Sequence, residues 1–138
     1  MGKNIVFAAA LSLGAAAALA QDVDQQLTVE LNSVASAESG CLLTFMVTNS
    51  FTDAIDSAIF ETVLFTTSGQ VDRLTLFDFG NLPSGRPRVR QFQVDGLRCD
   101  DLGQVLINGA STCQVDGAES SHCAAPTLKT RTETEFLG

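Results

Sequence analysis

Residues 41–48 read Cys41-Leu42-Leu43-Thr44-Phe45-Met46-Val47-Thr48, and this stretch decides the fold. Cys41, Leu43, Phe45 and Val47 fall on one side of an extended chain, opposite Leu42, Thr44, Met46 and Thr48. A repeat of two is the repeat of a β-strand, whose successive side chains point to opposite faces. Upstream, Leu27, Val29 and Leu31 alternate with Thr28, Glu30 and Asn32 as a half-buried strand, and a Ser/Ala/Gly-rich connection at residues 33–40 follows. Downstream, residues 49–56 are turn-like. Residues 59–67 form a strand rich in β-branched and aromatic residues, with Ile59, Val63 and Phe65 on one face and Phe60 and Leu64 on the other.

Ser68-Gly69 turns the chain into a strand at residues 71–79, where Phe77 and Phe79 alternate with Leu76 and Asp78. One of these sets is expected outside; phenylalanines on a strand are usually core, and if exposed would mark a contact patch beside the arginines at 86–90. Asn81-Leu82-Pro83-Ser84-Gly85 is a strong turn signal. In the next strand, residues 88–94, Val89 has the opposite parity to Phe92 and Val94, so a bulge near Arg90-Gln91 is needed to put both on one core. Asp95-Gly96 ends it. A short strand at 104–108 closes at Asn108-Gly109. The last strand, 127–136, carries Lys129, Arg131, Glu133 and Glu135 on one face and Leu128, Thr130, Thr132, Thr134 and Phe136 on the other. About seven short strands, with turns roughly every ten residues, predict an all-β antiparallel sandwich.

The first twenty residues read differently. Met1-Gly2-Lys3-Asn4 carries one positive charge, residues 5–19 are apolar and Ala-rich, and Ala18-Leu19-Ala20 fits the small-x-small rule of a signal peptidase acting before Gln21. The apolar run of about 15 residues is shorter than the roughly 20 that span a bilayer. A cleaved signal peptide at residues 1–20 is therefore expected, followed by a single domain at 21–138 with no membrane span, periplasmic or secreted. The absence of a twin-Arg pair points to the general secretory route.

The chain has 138 residues, 16 acidic against 8 basic, a formal net charge of −8, 45% hydrophobic and 17% charged residues. These are globular values. The acidic balance excludes the broad basic surface that nucleic acid requires. Trp and Tyr are absent, which removes the usual stacking platforms for sugars or bases.

Cys41, Cys99, Cys113 and Cys123 form an even set in an exported domain, which reads as two disulfides with three possible pairings. Cys41–Cys99 with Cys113–Cys123 is favoured. The first would link two layers, and the second would staple the polar loop at 114–122. A metal site from Cys113, His122 and Cys123 lacks the close ligand pairs of zinc sites. No metal and no cofactor are expected.

The residues that could carry chemistry are few. His122 is the sole histidine, with Ser120 and Ser121 beside it, so any Ser-His or Cys-His site must use it. Asp22/Asp24, Asp53/Asp56 and Asp100/Asp101 are paired carboxylates without the Asp-x-Asp-x-Asp-Gly calcium pattern, and turn and cap roles explain them. Arg86, Arg88 and Arg90 are the most unusual feature. At spacing two they would share one strand face as a clamp for an anionic ligand or an envelope protein. Pairing with acids such as Asp72 and Asp78, or protection of a sheet edge signalled by Pro87, are the structural alternatives.

The order Leu43 to Asn49, Ile59 to Phe65, Ser68-Gly69-Gln70-Val71, Leu82-Pro83-Ser84-Gly85 and Phe92-Gln93-Val94 resembles the bacterial FxLYD-type immunoglobulin-like domains, with Leu64-Phe65-Thr66 where Leu-Tyr-Asp would stand. The whole chain is also similar to small exported proteins of alphaproteobacteria, most distinctively at residues 74–92. The resemblance implies an immunoglobulin-like β-sandwich and a periplasmic setting, and supplies no activity. The functional expectation is a non-enzymatic binding or structural module of the cell envelope, with a partner at the arginine strand. The alternative is a small secreted hydrolase using Ser120 or Ser121 with His122, or an aspartate pair.

Overall fold

The computed structural model describes residues 24–138, together with 2–3, 9–10 and 14–15. Most of the expected signal peptide, its cleavage site before Gln21, and Asp22 lie outside the described residues. Nine strands follow one another: β1 (Leu27–Ala37), β2 (Gly40–Asn49), β3 (Ile55–Thr66), β4 (Val71–Leu82), β5 (Arg88–Asp95), β6 (Leu102–Val115), β7 (Ala118–Glu119), β8 (Thr127–Thr130) and β9 (Glu135–Leu137). Single 3₁₀ turns sit at Cys99–Asp101 and Ser121–Cys123. One sheet has the order β5-β2-β1-β8. The other has the order β4-β3-β6-β7, with β9 also paired to β6. The two sheets pack face to face as a sandwich, as the period-two pattern requires.

The alternation in β2 is complete. Cys41, Leu43, Phe45, Val47 and Asn49 are buried, and the residues between them are not. Phe45 is the hub of the core, with the rings of Phe77, Phe79, Phe92 and Phe136 all centred 5.5–5.9 Å from its own. Such tilted and edge-to-face pairs each add about 0.5–1.5 kcal/mol beyond the area they bury. Asn49, almost fully buried, closes the end of β2. Its Nδ2 donates to Asp53 O and Leu82 O, both at 2.9 Å, and its Oδ1 accepts from Phe51 N at 2.9 Å. One side chain thus ties the 50–54 turn to the end of β4 and leaves no buried polar atom unsatisfied.

Several local expectations are corrected. Residues 33–40 are not a connection. After a bulge at Asn32, β1 continues to Ala37 and makes a tight hairpin into β2, with Ala37 opposite Gly40. β6 does not end at Asn108-Gly109. Asn108 is the extra residue of a bulge against Glu61 and Thr62, and the strand runs on to Val115, where Asp116-Gly117, both at positive φ, makes the hairpin turn. The expected bulge in β5 is absent, because its register with β2 is unbroken from Val47↔Arg88 to Gly40↔Asp95. Val89 is therefore turned outward.

The largest departure is at the C-terminal end. The expected strand 127–136 is two strands in different sheets, each parallel to its neighbour, so the sandwich is not wholly antiparallel: β8 lies along β1 and β9 along β6. The alternating threonines explain the break. Thr132 N donates to Thr130 Oγ1 at 3.0 Å and Thr134 N to Thr132 Oγ1 at 3.1 Å. These local bonds take backbone donors from a ladder and let the chain cross from one layer to the other.

Two disulfides complete the frame. Cys41 in β2 is bonded to Cys99, just before β6, which links the two layers. Cys113 in β6 is bonded to Cys123. No cysteine is free, so none remains as a metal thiolate.

Candidate functional site

The arginines come first. Arg86 precedes β5 and is exposed, so the three do not form one strand row. Arg88 and Arg90 lie on the face of β5 that carries Phe92 and Val94, the face turned toward the other sheet. Arg90 reaches across the gap between the sheets. Its Nε donates to Phe79 O at 2.7 Å and its Nη2 to Asn81 O at 3.0 Å, both in β4. Arg73 in β4 reaches back, with Nη1 donating to Asp95 O of β5 at 2.7 Å and Nε paired to Asp72 at 2.6 Å. Since β4 and β5 are the outer strands of their sheets, these reciprocal contacts satisfy backbone carbonyls that an open edge would offer to another strand. Asp78 is not an arginine partner; its Oδ1 accepts from Gly80 N at 2.8 Å.

Asp95, at the end of β5, accepts from Ser39 Oγ at 2.7 Å and Gln93 Nε2 at 3.1 Å. These bonds, the Ser39 bond foremost and Arg73 behind them, hold its carboxyl below the ordinary value of 3.8. On β1, Glu30 accepts from Asn32 Nδ2 at 3.0 Å and pairs with Arg131 at 3.1 Å, and its carboxyl is lowered for the same reasons in that order.

His122 and Ser120 do meet. Ser120 Oγ lies 2.6 Å from His122 Nδ1, and Asp53, remote in sequence, stands 3.9 Å from Nε2. Ser121 is exposed and adds nothing to the cluster. The same Ser120 oxygen also accepts from His122 N at 3.2 Å and so caps the 3₁₀ turn. The imidazole lies against Phe51, ring centres 4.0 Å apart. Asp53 is beyond hydrogen-bond reach of the ring, and reach is the first requirement of a working base and its orienting acid. The other carboxylate pairs serve separate tasks: Asp56 accepts from Gly117 N, and Asp100 faces Arg98 at 3.5 Å. Among the described residues no group of three or more His, Cys, Asp or Glu is placed to hold a metal ion.

The outward face of the five-stranded sheet is the feature least like an ordinary solvent surface. Phe77 and Phe79 are core, which turns Leu74 and Leu76 outward on β4. The registers place Leu74 opposite Val63 of β3, Val63 opposite Leu106 of β6, and Leu106 beside Leu137 of β9. Four aliphatic side chains thus stand in one line across four strands, a span of about 14 Å at ordinary strand spacing. Val71 and Phe65 pair on one side of this line; on the other, Leu76 stands opposite Glu61 and Ile59 opposite Asp78. Leu74, Leu76, Val71 and Leu137 are 56%, 58%, 61% and 44% exposed, while Leu106 is half-buried and Val63, covered by its neighbours, is buried. On the opposite outer face Thr44 and Gln91 are hydrogen-bonded across β2 and β5, Thr28 stands beside Thr127 and Glu30 beside Lys129, while Met46 and the 59%-exposed Val89 form one apolar pair and Leu42 stands apart from it. Both outer faces mix polar and apolar side chains, and the larger group of exposed aliphatics, Val71, Leu74, Leu76 and Leu137 against Val89, is on the five-stranded sheet.

Sequence reasoning offered an exposed patch at Phe77 and Phe79, beside the arginines, as its minority reading; both are buried, and this surface is formed by the alternate residues Leu74 and Leu76 instead. The signal that finds it is the two-sided apolarity of β3 and β4, since a strand at the surface of a sandwich needs only one apolar face. Among the described residues no helix is long and apolar enough to cross a membrane. Comparison with protein-family models, with curated proteins and with solved structures gives no match in any of the three.

Proposed function

We propose that this chain is an exported, non-enzymatic contact module of the cell envelope, which holds a partner protein against the outer face of its five-stranded sheet. The observation that carries the reading is the line Leu74–Val63–Leu106–Leu137 with its flanking Val71 and Leu76. Exposed aliphatic side chains gathered on one face of a folded domain mark a contact surface. Two disulfides, one between the layers, support an oxidising compartment, and the signal-like residues 1–20 support the route there. The arginines contribute to the frame, with Arg86 and Arg88 left as secondary candidates for anionic groups.

The test is recovery of crosslinked envelope partners with the wild type, with L74S/L76S, and with T44S/Q91S on the opposite face. Loss confined to L74S/L76S is the expected result; equal recovery from all three contradicts the reading. The hydrolase alternative is tested separately. A fluorophosphonate probe should leave Ser120 unlabelled, whereas labelling that disappears in H122A establishes a nucleophilic serine and overturns the non-enzymatic reading.

A further inference from the structure

Resting on the reading above, we infer that the partner presents a basic, apolar polypeptide surface: Lys or Arg interspersed with aliphatic residues. The inference comes from the charges that frame the aliphatic line. Glu61 lies directly opposite Leu76 and two residues from Val63, Asp78 follows Leu76 by two, and Glu135 precedes Leu137 by two, so all three share the outward face. Glu61 accepts from Asn108 Nδ2 and Glu135 from Gln104 Nε2, both at 2.6 Å, which fixes two of these carboxylates on the sheet. Among the described residues no base on this face balances them. The one basic residue in β3, β4, β6 and β9 is Arg73, and it is turned toward the other sheet and bonded to Asp95 and Asp72.

A second copy of the chain is the poorer occupant. A two-fold contact joins a surface to itself and would set Glu61, Asp78 and Glu135 against the same three acids without an offsetting cation. Like charges brought together at an interface select against that pairing, and opposite charges favour encounter and fix register.

The experiment measures binding of two fluorescein-labelled peptides, one alternating Leu with Lys and one alternating Leu with Glu, by anisotropy at physiological salt. It uses the wild type, L74S/L76S and E61Q/D78N/E135Q, with sedimentation equilibrium on each. The glutamines and asparagine keep hydrogen-bonding capacity and remove charge. The expected result is a monomer that binds the Lys peptide at least about tenfold more tightly than the Glu peptide, with binding lost in L74S/L76S and most of the preference lost in E61Q/D78N/E135Q. If both peptides bind alike and L74S/L76S abolishes both, the contact face stands and its charge selectivity is refuted. Binding that ignores L74S/L76S, or none to either peptide, overturns the inference together with the face. A dimer that L74S/L76S converts to monomer assigns the face to a second copy and refutes the basic partner.

Discussion

Replacing Arg90 with methionine should destabilise the fold, although its neighbour in the sequence pattern, Arg86, can be replaced freely. Methionine keeps an apolar stem of similar reach and removes the guanidinium. Two cross-layer bonds then vanish, to Phe79 O at 2.7 Å and Asn81 O at 3.0 Å. A hydrogen bond to a charged group contributes about 1.5–3 kcal/mol. Arg90 is only half-buried and water can reach the vacated carbonyls, so a total of about 2–3 kcal/mol is the appropriate expectation. For a domain of this size that corresponds to a fall in Tm of roughly 8–12 °C. Arg90→Lys should lose about half as much, because an ammonium cannot fork between two acceptors. The assay is urea unfolding at pH 7 with intact disulfides, checked by thermal melting. Arg86→Ser, in an exposed turn, should stay within about 0.5 kcal/mol of the wild type. If R90M also stays within about 0.5 kcal/mol, the arginine bridge between the edge strands is not a structural element.

Other consequences follow from the same framework. C41A/C99A should lose up to about 4 kcal/mol and C113A/C123A up to about 3, the order set by the length of chain each bond closes, and urea midpoints would show a reversed order if loop closure is not the cause. Stability should fall on acidification, because Glu30 and Asp95 are held below their ordinary values of 4.5 and 3.8. A lowered carboxyl stabilises the fold fully above its unfolded value and loses that contribution as the pH drops through the folded one. The urea midpoint should therefore decline from about pH 5 downward, and D95N should flatten part of that decline; an unchanged profile in D95N would show that its bonds to Ser39 and Gln93 carry no linkage. On β4, Phe77→Ala should cost about 3–5 kcal/mol, while Leu76→Ala, one residue earlier and more than half exposed, should cost about 1. Comparable losses at both positions would mean that the outer face is packed rather than open.

Much of this architecture is legible in the sequence wherever one face of a strand is apolar and the other is not. β2 is read without error because each buried residue is flanked by residues that are not buried, and both disulfide pairs follow from a cysteine at a strand start and a short polar loop. The errors have local causes. Residues 33–37, Ser-Val-Ala-Ser-Ala, are small and lack a strong apolar alternation, so nothing in their periodicity distinguishes a strand from a connection, and pairing with β2 decides. The alternating threonines at 130–134 look like a strand by parity, while their hydroxyls bond the adjacent backbone and break it. Arg90 looks like a surface clamp because charged residues on strands usually face water. Here Phe92 and Val94 fix the parity of β5 and send Arg90 inward, to carbonyls whose need for donors no sequence pattern reveals. The aliphatic line on the outer face is half legible: Leu76 and Val63 are visible as second apolar sets, but their alignment with Leu106 and Leu137 depends on registers set by bulges at Asn108 and Asp72.

The most direct test of the account is hydroxyl-radical footprinting of the protein in intact envelopes, compared with the purified protein. Protection confined to Val71, Leu74, Leu76 and Leu137, with Met46 and Val89 on the opposite face equally oxidised in both samples, is the predicted result. Identical patterns in the two samples, or protection centred on Met46 and Val89, would contradict it.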